Sequence, residues 1–357
     1  MPPSRRIVLL AAAALLLGGW LVAQTPTGNI GDPIDPSTLG GFGGSFGGGG
    51  GPGGFGGRGG PGGGGGGGRR GGGGGRGFFT GGDQGPMIRL EGGDIVNEDT
   101  LKTARDAPNH SVDLPVWKNA PGYENDTYTF ARILFHNEVG TRRLGWWVDF
   151  PDADINFSYR LQQVSSMKVN PDPIVIKLTD PNLGRYPLIY MEHVEYLALT
   201  IDEAKALHNY LLNGGTLLIN DTWGDAAFDH FADVMSHVLP GRNWTELTID
   251  HPIFHCIFDL KGPMNQLQVP TKQFLNYAYN PNDPLSIPTR PREYGWQNVH
   301  FRAWLDDKKH ITILFINNSD VSDGWEREGE DEAYFNTFSV RRAYPIGFNV
   351  IYYLLTN

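Results

Sequence analysis

The spacing of hydrophobic and polar positions alternates between strand-like and helix-like periods through much of the chain. A helix-like run covers residues 154–167, where apolar side chains recur every three or four positions. Strand-like runs occupy residues 128–135, 174–178 and 188–191. The last two runs are short and apolar, which is typical of parallel strands covered on both faces.

Residues 187–220 have the pattern of a strand, helix, strand crossover. Thr200 and Glu203 have the spacing of a capping box at the start of the helix. Gly214 and Gly215 mark the end of the helix, and an apolar run at residues 216–220 follows as a buried strand. Connections of this kind join parallel strands of one sheet.

The remaining pattern extends the same architecture to the end of the chain. It predicts a helix at 225–239, a strand at 244–249, an antiparallel pair at 299–305 and 311–316, and a last helix at 344–355. We therefore predict a three-layer α/β fold: a mostly parallel sheet flanked by helices, with an added antiparallel hairpin and a C-terminal helix.

Residues 1–23 have the pattern of a secretory signal peptide. Arg5 and Arg6 precede an apolar run too short to span a bilayer, and small residues near Ala23 provide a cleavage site. The paired arginines leave both the general secretory and the twin-arginine route open, and an uncleaved anchor is the alternative to cleavage. The pattern predicts a periplasmic or extracellular protein with no membrane span after cleavage.

Residues 24–85 are glycine-rich and predict a disordered linker. Of the 50 glycines, 28 lie within residues 40–77, a composition that buries too little apolar surface to fold. Its arginine and glycine pieces also occur in RNA-binding segments, but a flexible tether is the favoured interpretation behind a signal peptide. Residues 86–122 are then an N-terminal extension, and residues 123–357 form the α/β domain.

Charge and cysteine content exclude several classes of protein. The formal net charge is −10, and residues 77–357 have a net charge of −14 because the front of the chain is basic. A body this acidic disfavours binding to nucleic acid or anionic lipid. The single cysteine, Cys256, excludes an internal disulfide and any cysteine-cluster metal site.

Several long motifs carry a resemblance to known families. The stretch LTIDEAKALHNYLLNGGTLLIND, followed by IDHPIFHCIFDL, resembles the glutamine-amidotransferase-like superfamily, especially its trehalose-utilisation-type branch. With WWVDFPDADINF and NNSDVSDGWEREGED added, residues 123–357 resemble the bacterial family of unknown function DUF4159. The resemblance implies a flavodoxin-like, amidotransferase-like fold and implies no activity.

The position of the amidotransferase nucleophile holds no thiol in this chain. Catalytic members carry cysteine on a tight turn after the central strand, where this sequence reads NDTWG at residues 220–224. Cys256 lies elsewhere, and an extended His255-Cys256 pair would point to opposite faces. We therefore predict that Cys256 is a small buried apolar residue.

Ligands of open parallel sheets bind beyond the carboxyl ends of the strands, which here are acidic and aromatic. The candidate ligand-binding residues are Asp149, Asp152, Asp154, Glu192, His193, Asp221, Trp223, His251, Asp320, Asp323, Trp325 and Glu326. Such a set suits a sugar that stacks on tryptophan, or a cation held by oxygen ligands. The alternative is that these are turn and capping residues.

Two groups of these candidates have favoured structural interpretations. Asp149, Asp152 and Asp154 precede a helix and are expected to cap it, with a cation or polyol site as the alternative. Residues 320–328 are expected to form a solvated loop, with a contribution to the main site as the alternative. An EF-hand fails there because Val321 would occupy a ligand position.

The histidine pair around Pro252 favours a structural role. Pro252 disfavours a helical metal pair of His251 and His255, and no third ligand is apparent, so a packed or capping role is favoured over zinc. We accordingly predict no cofactor and no defined metal site.

The sequence favours a non-catalytic binding or scaffold module of the cell envelope that recognises carbohydrate. One alternative is a carbohydrate-processing enzyme that uses Asp221 and Glu192 as acid and base. Another is a partner-binding subunit of an envelope complex. An enzyme would place two carboxylates in one pocket with one of the two pKa values raised by burial, which distinguishes it from a binding module.

Overall fold

A computed structural model describes residues 87–90, 92–110, 114–122, 126–137, 145–272 and 298–357. The predicted signal peptide and the predicted glycine-rich linker lie outside these residues, so both stay predictions.

Eleven strands and six α-helices are described in these ranges. The strands are β1 Met87–Arg89, β2 Ile95–Asn97, β3 Ala131–Leu134, β4 His136–Asn137, β5 Ile174–Lys177, β6 Leu188–Glu192, β7 Leu197–Ala198, β8 Thr216–Thr222, β9 Trp244–Glu246, β10 His300–Leu305 and β11 Ile311–Asn317. The helices are α1 Asp152–Val164, α2 Ile201–Leu212, α3 Asp225–Val238, α4 Asp323–Glu326, α5 Glu332–Tyr334 and α6 Tyr344–Thr356. A π-helix, Phe335–Ala343, joins α5 to α6.

Seven strands form one mixed sheet in the order β5, β3, β6, β8, β11, β10, β9. The first five are parallel to one another, and β10 and β9 continue the sheet antiparallel. Numbered along the chain, the parallel strands run 2-1-3-4-5, the order of flavodoxin-like sheets. The predicted α/β class, with its antiparallel hairpin and C-terminal helix, is confirmed. Two short antiparallel pairs, β1 with β2 and β4 with β7, lie outside this sheet.

The central strands are buried along their whole length, as their continuous apolar sequence predicts. Every residue of β6 and β8 is buried. The capping box before α2 is also present, because the Glu203 amide donates to Thr200 Oγ1 at 3.3 Å and the Thr200 amide donates to Glu203 Oε2 at 2.8 Å. Gly214 beyond that helix has a φ of 91°, a conformation that favours glycine.

Helix α1 differs from its sequence prediction at both ends. It starts at Asp152 and ends at Val164, its N-cap residue Pro151 makes no side-chain capping bond, and Asp152 and Asp154 lie within its first turn instead of before it. Its apolar face packs on the C-terminal part of the chain: the Phe157 and Trp325 rings lie 4.2 Å apart between centroids. None of the helices in the described ranges is long and apolar enough to cross a membrane.

Replacing Gly347 with alanine is expected to destabilise this packing by about 1–3 kcal/mol, because overfilling a close-packed core displaces its neighbours. An added Cβ would lie 2.6 Å from Phe157 Cε2 and 2.7 Å from Trp325 Cζ2. The matched control is Gly184→Ala, where a Cβ meets nothing within 4 Å. Urea unfolding of both variants measures the difference, and equal stabilities would show that the two rings move aside freely.

Candidate functional site

The loops at the carboxyl edge of the parallel strands hold their side chains through unusual backbone geometry. Asp149 precedes α1, His193 follows β6, Asp221 lies near the end of β8, and Asn318 follows β11. Their φ angles are 55°, 50°, 47° and 59°. Asp, Asn and His are the non-glycine residues that adopt this left-handed region most readily, and such positions concentrate at functional sites.

These loops bring together five buried carboxylates, which we call the acidic cluster. Its members are Asp149, Asp221, Asp320, Asp323 and Glu326, each between 1% and 3% exposed. One carboxylate oxygen from each of Asp149, Asp221 and Asp320 lies within 4.8 Å of the other two, and Asp149, Asp323 and Glu326 form a second such group. The prediction of a solvated loop at residues 320–328 is therefore wrong for Asp320, Asp323 and Glu326, which are buried members of the acidic cluster.

Asp221 is held from two sides. Trp223 donates its indole N–H to Asp221 Oδ1 at 2.6 Å, and His193 Nε2 lies 2.5 Å from Asp221 Oδ2. The other ring nitrogen of His193 lies 3.2 Å from Glu195 Oε1. Burial alone would lower the pKa of His193, but the two carboxylates outweigh it and raise that pKa well above its ordinary value. The contacts with Asp221 and Glu195 therefore favour the imidazolium form of His193, which neutralises part of the cluster.

Asp320 shares one group of the cluster with Asp149 and Asp221. Its Oδ1 accepts hydrogen bonds from the Asp323 amide at 2.7 Å and from Ser322 Oγ at 3.2 Å. Burial, together with the neighbouring carboxylates Asp221 and Asp149, raises the pKa of Asp320 well above its ordinary value. A positive charge placed here would relieve that repulsion.

Asp323 and Glu326 are paired with a cation of the chain itself. Arg327 Nε lies 2.7 Å from Asp323 Oδ1 and 2.8 Å from Glu326 Oε2. The other oxygen of Asp323 accepts the Lys272 amide at 2.5 Å. Sequence inspection missed Arg327, although its position directly after two acids spaced for one face of a helix was a usable signal.

A second buried charge network contains Asp154 and Glu192. Arg132 of β3 binds both oxygens of Asp154 through Nε at 2.9 and 3.0 Å, and it also contacts Glu192. Tyr190 donates its hydroxyl to the second oxygen of Glu192 at 2.8 Å. Arg132 also donates to the carbonyls of Trp146 and Val148, on the loop that leads to Asp149.

Two residues of this network, Asp154 and Glu192, were candidate ligand-binding residues in the sequence, and the structure gives them a structural role. Asp154 and Glu192 are 0% exposed, and their oxygens serve Arg132 and Tyr190. Sequence inspection missed Arg132, yet an arginine inside the apolar run 128–135 is a signal for a buried carboxylate partner.

Three other candidates lie outside the acidic cluster. Asp152 Oδ2 accepts the His110 amide at 2.9 Å. Trp325 is a core residue packed on Phe157. His251 accepts the Ile253 amide at the start of the short 3-10 helix Pro252–Phe254, which confirms its expected capping role. Cys256 is only partly buried, and burial raises the pKa of its thiol, which disfavours a nucleophilic thiolate.

The chemistry of the acidic cluster is that of a site for a hard cation. All five side chains offer carboxylate oxygens, the ligands that Ca²⁺, Mg²⁺ and Mn²⁺ prefer. Their burial leaves almost no surface for a sugar ring to contact directly. The group formed by Asp149, Asp221 and Asp320 draws on three separate segments of the chain, so a bound ion would tie those segments together.

Fold and site together define an α/β protein with a flavodoxin-like strand order and a buried carboxylate cluster at the carboxyl edge of its parallel strands. The chain belongs to the family described as Domain of unknown function (DUF4159), whose model matches residues 129–355. No curated protein matches the chain.

Proposed function

We propose that the protein is an exported, non-catalytic binding module of the cell envelope whose α/β domain binds a divalent cation at the acidic cluster. The observation that carries this proposal is the convergence of Asp149, Asp221 and Asp320. Their carboxylate oxygens lie within 4.8 Å of one another, and each residue is at most 3% exposed. Carboxylates at this spacing repel one another unless a proton or a cation lies between them.

Support for export comes from the front of the sequence. Arg5, Arg6 and the apolar run 7–17 have the pattern of a signal peptide, and the glycine-rich segment behind them suits a flexible tether. Extracellular modules commonly bind calcium with dissociation constants of about 10⁻⁴–10⁻³ M, concentrations available outside the cytoplasm.

The geometry favours a cation over the carbohydrate suggested by sequence. Trp223, the candidate stacking platform, directs its indole N–H edge to Asp221 and so supports a carboxylate of the acidic cluster. The acid and base pair considered for a carbohydrate-processing enzyme is also disfavoured. Glu192 is enclosed by Arg132 and Tyr190, so it has no open face toward a substrate.

Divalent cations are expected to raise the melting temperature of the full chain, and Asp149→Asn is expected to remove at least about half of that rise. Asparagine keeps the left-handed φ at this position but loses the charge. Ca²⁺ at about 100 times its dissociation constant should stabilise the wild type by about 2.7 kcal/mol, or roughly 5–10 °C. Losing one ligand weakens binding at least about tenfold, which removes roughly 3–6 °C of the shift.

The measurement is a thermal-shift titration with Ca²⁺, Mg²⁺ and Mn²⁺ against a chelator. Asp307→Asn is the matched control, because the Asp307 side chain is 93% exposed. A wild type that shows no shift with any of the three ions, or equal shifts in Asp149→Asn and the wild type, would rule out the cation site. A shift with neutral sugars in the presence of chelator would favour direct carbohydrate recognition instead.

A further inference from the structure

We infer that Arg327 is a tethered cation that occupies one half of the acidic cluster, formed by Asp149, Asp323 and Glu326. A single divalent ion then binds in the other half, formed by Asp149, Asp221 and Asp320. This inference rests on the proposed function and adds to it the position and number of the ions. It concerns which half of the acidic cluster is open to a metal.

The contacts of Arg327 show a positive charge already bound in one half. Its Nε lies within 2.8 Å of both Asp323 Oδ1 and Glu326 Oε2, and its Nη1 lies 3.4 Å from Glu330 Oε2. The Arg327 side chain is 19% exposed, so solvent screens these pairs only weakly. The carboxylates outweigh burial and raise the pKa of Arg327, which keeps it charged.

The remaining contacts of Asp323 reinforce this assignment. Its Oδ2 accepts the Lys272 amide at 2.5 Å, while its Oδ1 faces Arg327. A metal in this half would have to displace a charge-assisted pair in a buried setting, which is costly because the guanidinium would then lack its partners.

The other half keeps the capacity to bind metal. The His193 imidazolium contacts one of its three carboxylates, Asp221, whereas Arg327 contacts two of the three in its own half. Asp221 also accepts one hydrogen bond from Trp223, and Asp320 accepts two hydrogen bonds at one oxygen. A carboxylate has about four acceptor positions, so contacts of this kind orient the oxygens without using all of them. Asp149 belongs to both halves, and it therefore places the divalent ion beside the guanidinium.

The stoichiometry of Mn²⁺ binding tests the inference. Titration of the full chain, followed by the electron paramagnetic resonance signal of free Mn²⁺, should give one bound ion in the wild type and two in Arg327→Gln. The control is Arg341→Gln, an exposed arginine of the π-helix, which should keep one. One ion in Arg327→Gln, bound with unchanged affinity, would overturn the inference.

A second pair of variants keeps the test decisive if Arg327→Gln does not fold. Glu326→Gln should keep one ion with affinity within about threefold of the wild type, whereas Asp320→Asn should lose at least about tenfold. A tenfold loss in Glu326→Gln would place the ion in the wrong half and overturn the inference. A wild type that binds no Mn²⁺ at all would instead contradict the proposed function.

Discussion

Replacing Arg132 with methionine is expected to lower the free energy of unfolding by about 3–5 kcal/mol, the largest single effect we predict. The guanidinium is buried together with Asp154 and Glu192, which are both 0% exposed. Methionine fills a similar volume but leaves two carboxylates without their cation. The cost arises mainly from those stranded charges, since a buried ion pair itself contributes little net stability.

The charge origin of this cost is separable from lost packing. A triple variant, Arg132→Met with Asp154→Asn and Glu192→Gln, removes the stranded charges and should regain at least half of the loss. Arg341→Met is the control for the same substitution at an exposed site and should change stability by less than about 0.5 kcal/mol. Urea unfolding measures all three, and a triple variant as unstable as Arg132→Met would show that packing dominates.

The elements that sequence predicted best are those whose burial is set by the sheet itself. Strands β6 and β8 are covered on both faces, so their apolar runs at 188–191 and 216–220 mark them almost residue by residue. The predicted strand at 244–249 ends at Glu246, and its three residues are exposed at the sheet edge, where an apolar period is not required. The π-helix Phe335–Ala343 carries no periodic signal that separates it from an α-helix.

The sequence predicted the acidic residues of the candidate site but not which of them lie close together in the structure. Asp221 was a candidate because it follows a buried strand, and position in a parallel sheet predicts that edge. Its approach to Asp149 and Asp320 depends on contacts between segments far apart in sequence, such as the Asn220 side chain bonded to Ser322 Oγ at 2.8 Å. Local pattern contains no information on such pairs, so residues 320–328 were expected to be solvated.

The two arginines were missed for a related reason. Hydrophobic periodicity treats Arg132 as a single polar interruption of an apolar run, although a charge in a buried strand requires a partner elsewhere. That requirement identifies the kind of partner, a carboxylate, but not which one. Only the three-dimensional arrangement selects Asp154 and Glu192 from the many acids of the chain.

Replacing Glu192 with glutamine is expected to remove a pH dependence of stability worth about 3 kcal/mol. Burial raises the pKa of Glu192 from 4.5 to about 7, although Arg132 and His193 act in the opposite direction. One guanidinium shared by two carboxylates leaves one of them short of positive charge, which favours its protonated form.

The direction of this pH dependence follows from the raised pKa of Glu192 in the folded state. Between pH 4.5 and about 7 the folded chain holds a proton on Glu192 that the unfolded chain releases, so stability falls as pH rises through this window. At about 1.4 kcal/mol for each unit of pKa, the loss is about 3 kcal/mol. Glutamine mimics the protonated acid at every pH, so the stability of the variant relative to the wild type should rise by this amount between pH 4.5 and 7.5.

Urea unfolding at pH 4.5, 6 and 7.5 measures the difference, with Glu332→Gln, an exposed glutamate, as the matched control. The control should show a difference that stays within about 0.5 kcal/mol across the series. A constant difference for Glu192→Gln as well would mean that Arg132 keeps Glu192 ionised throughout this range. In that case Arg132 neutralises Glu192 in preference to Asp154, and the extra proton of the network resides on Asp154, whose pKa burial also raises.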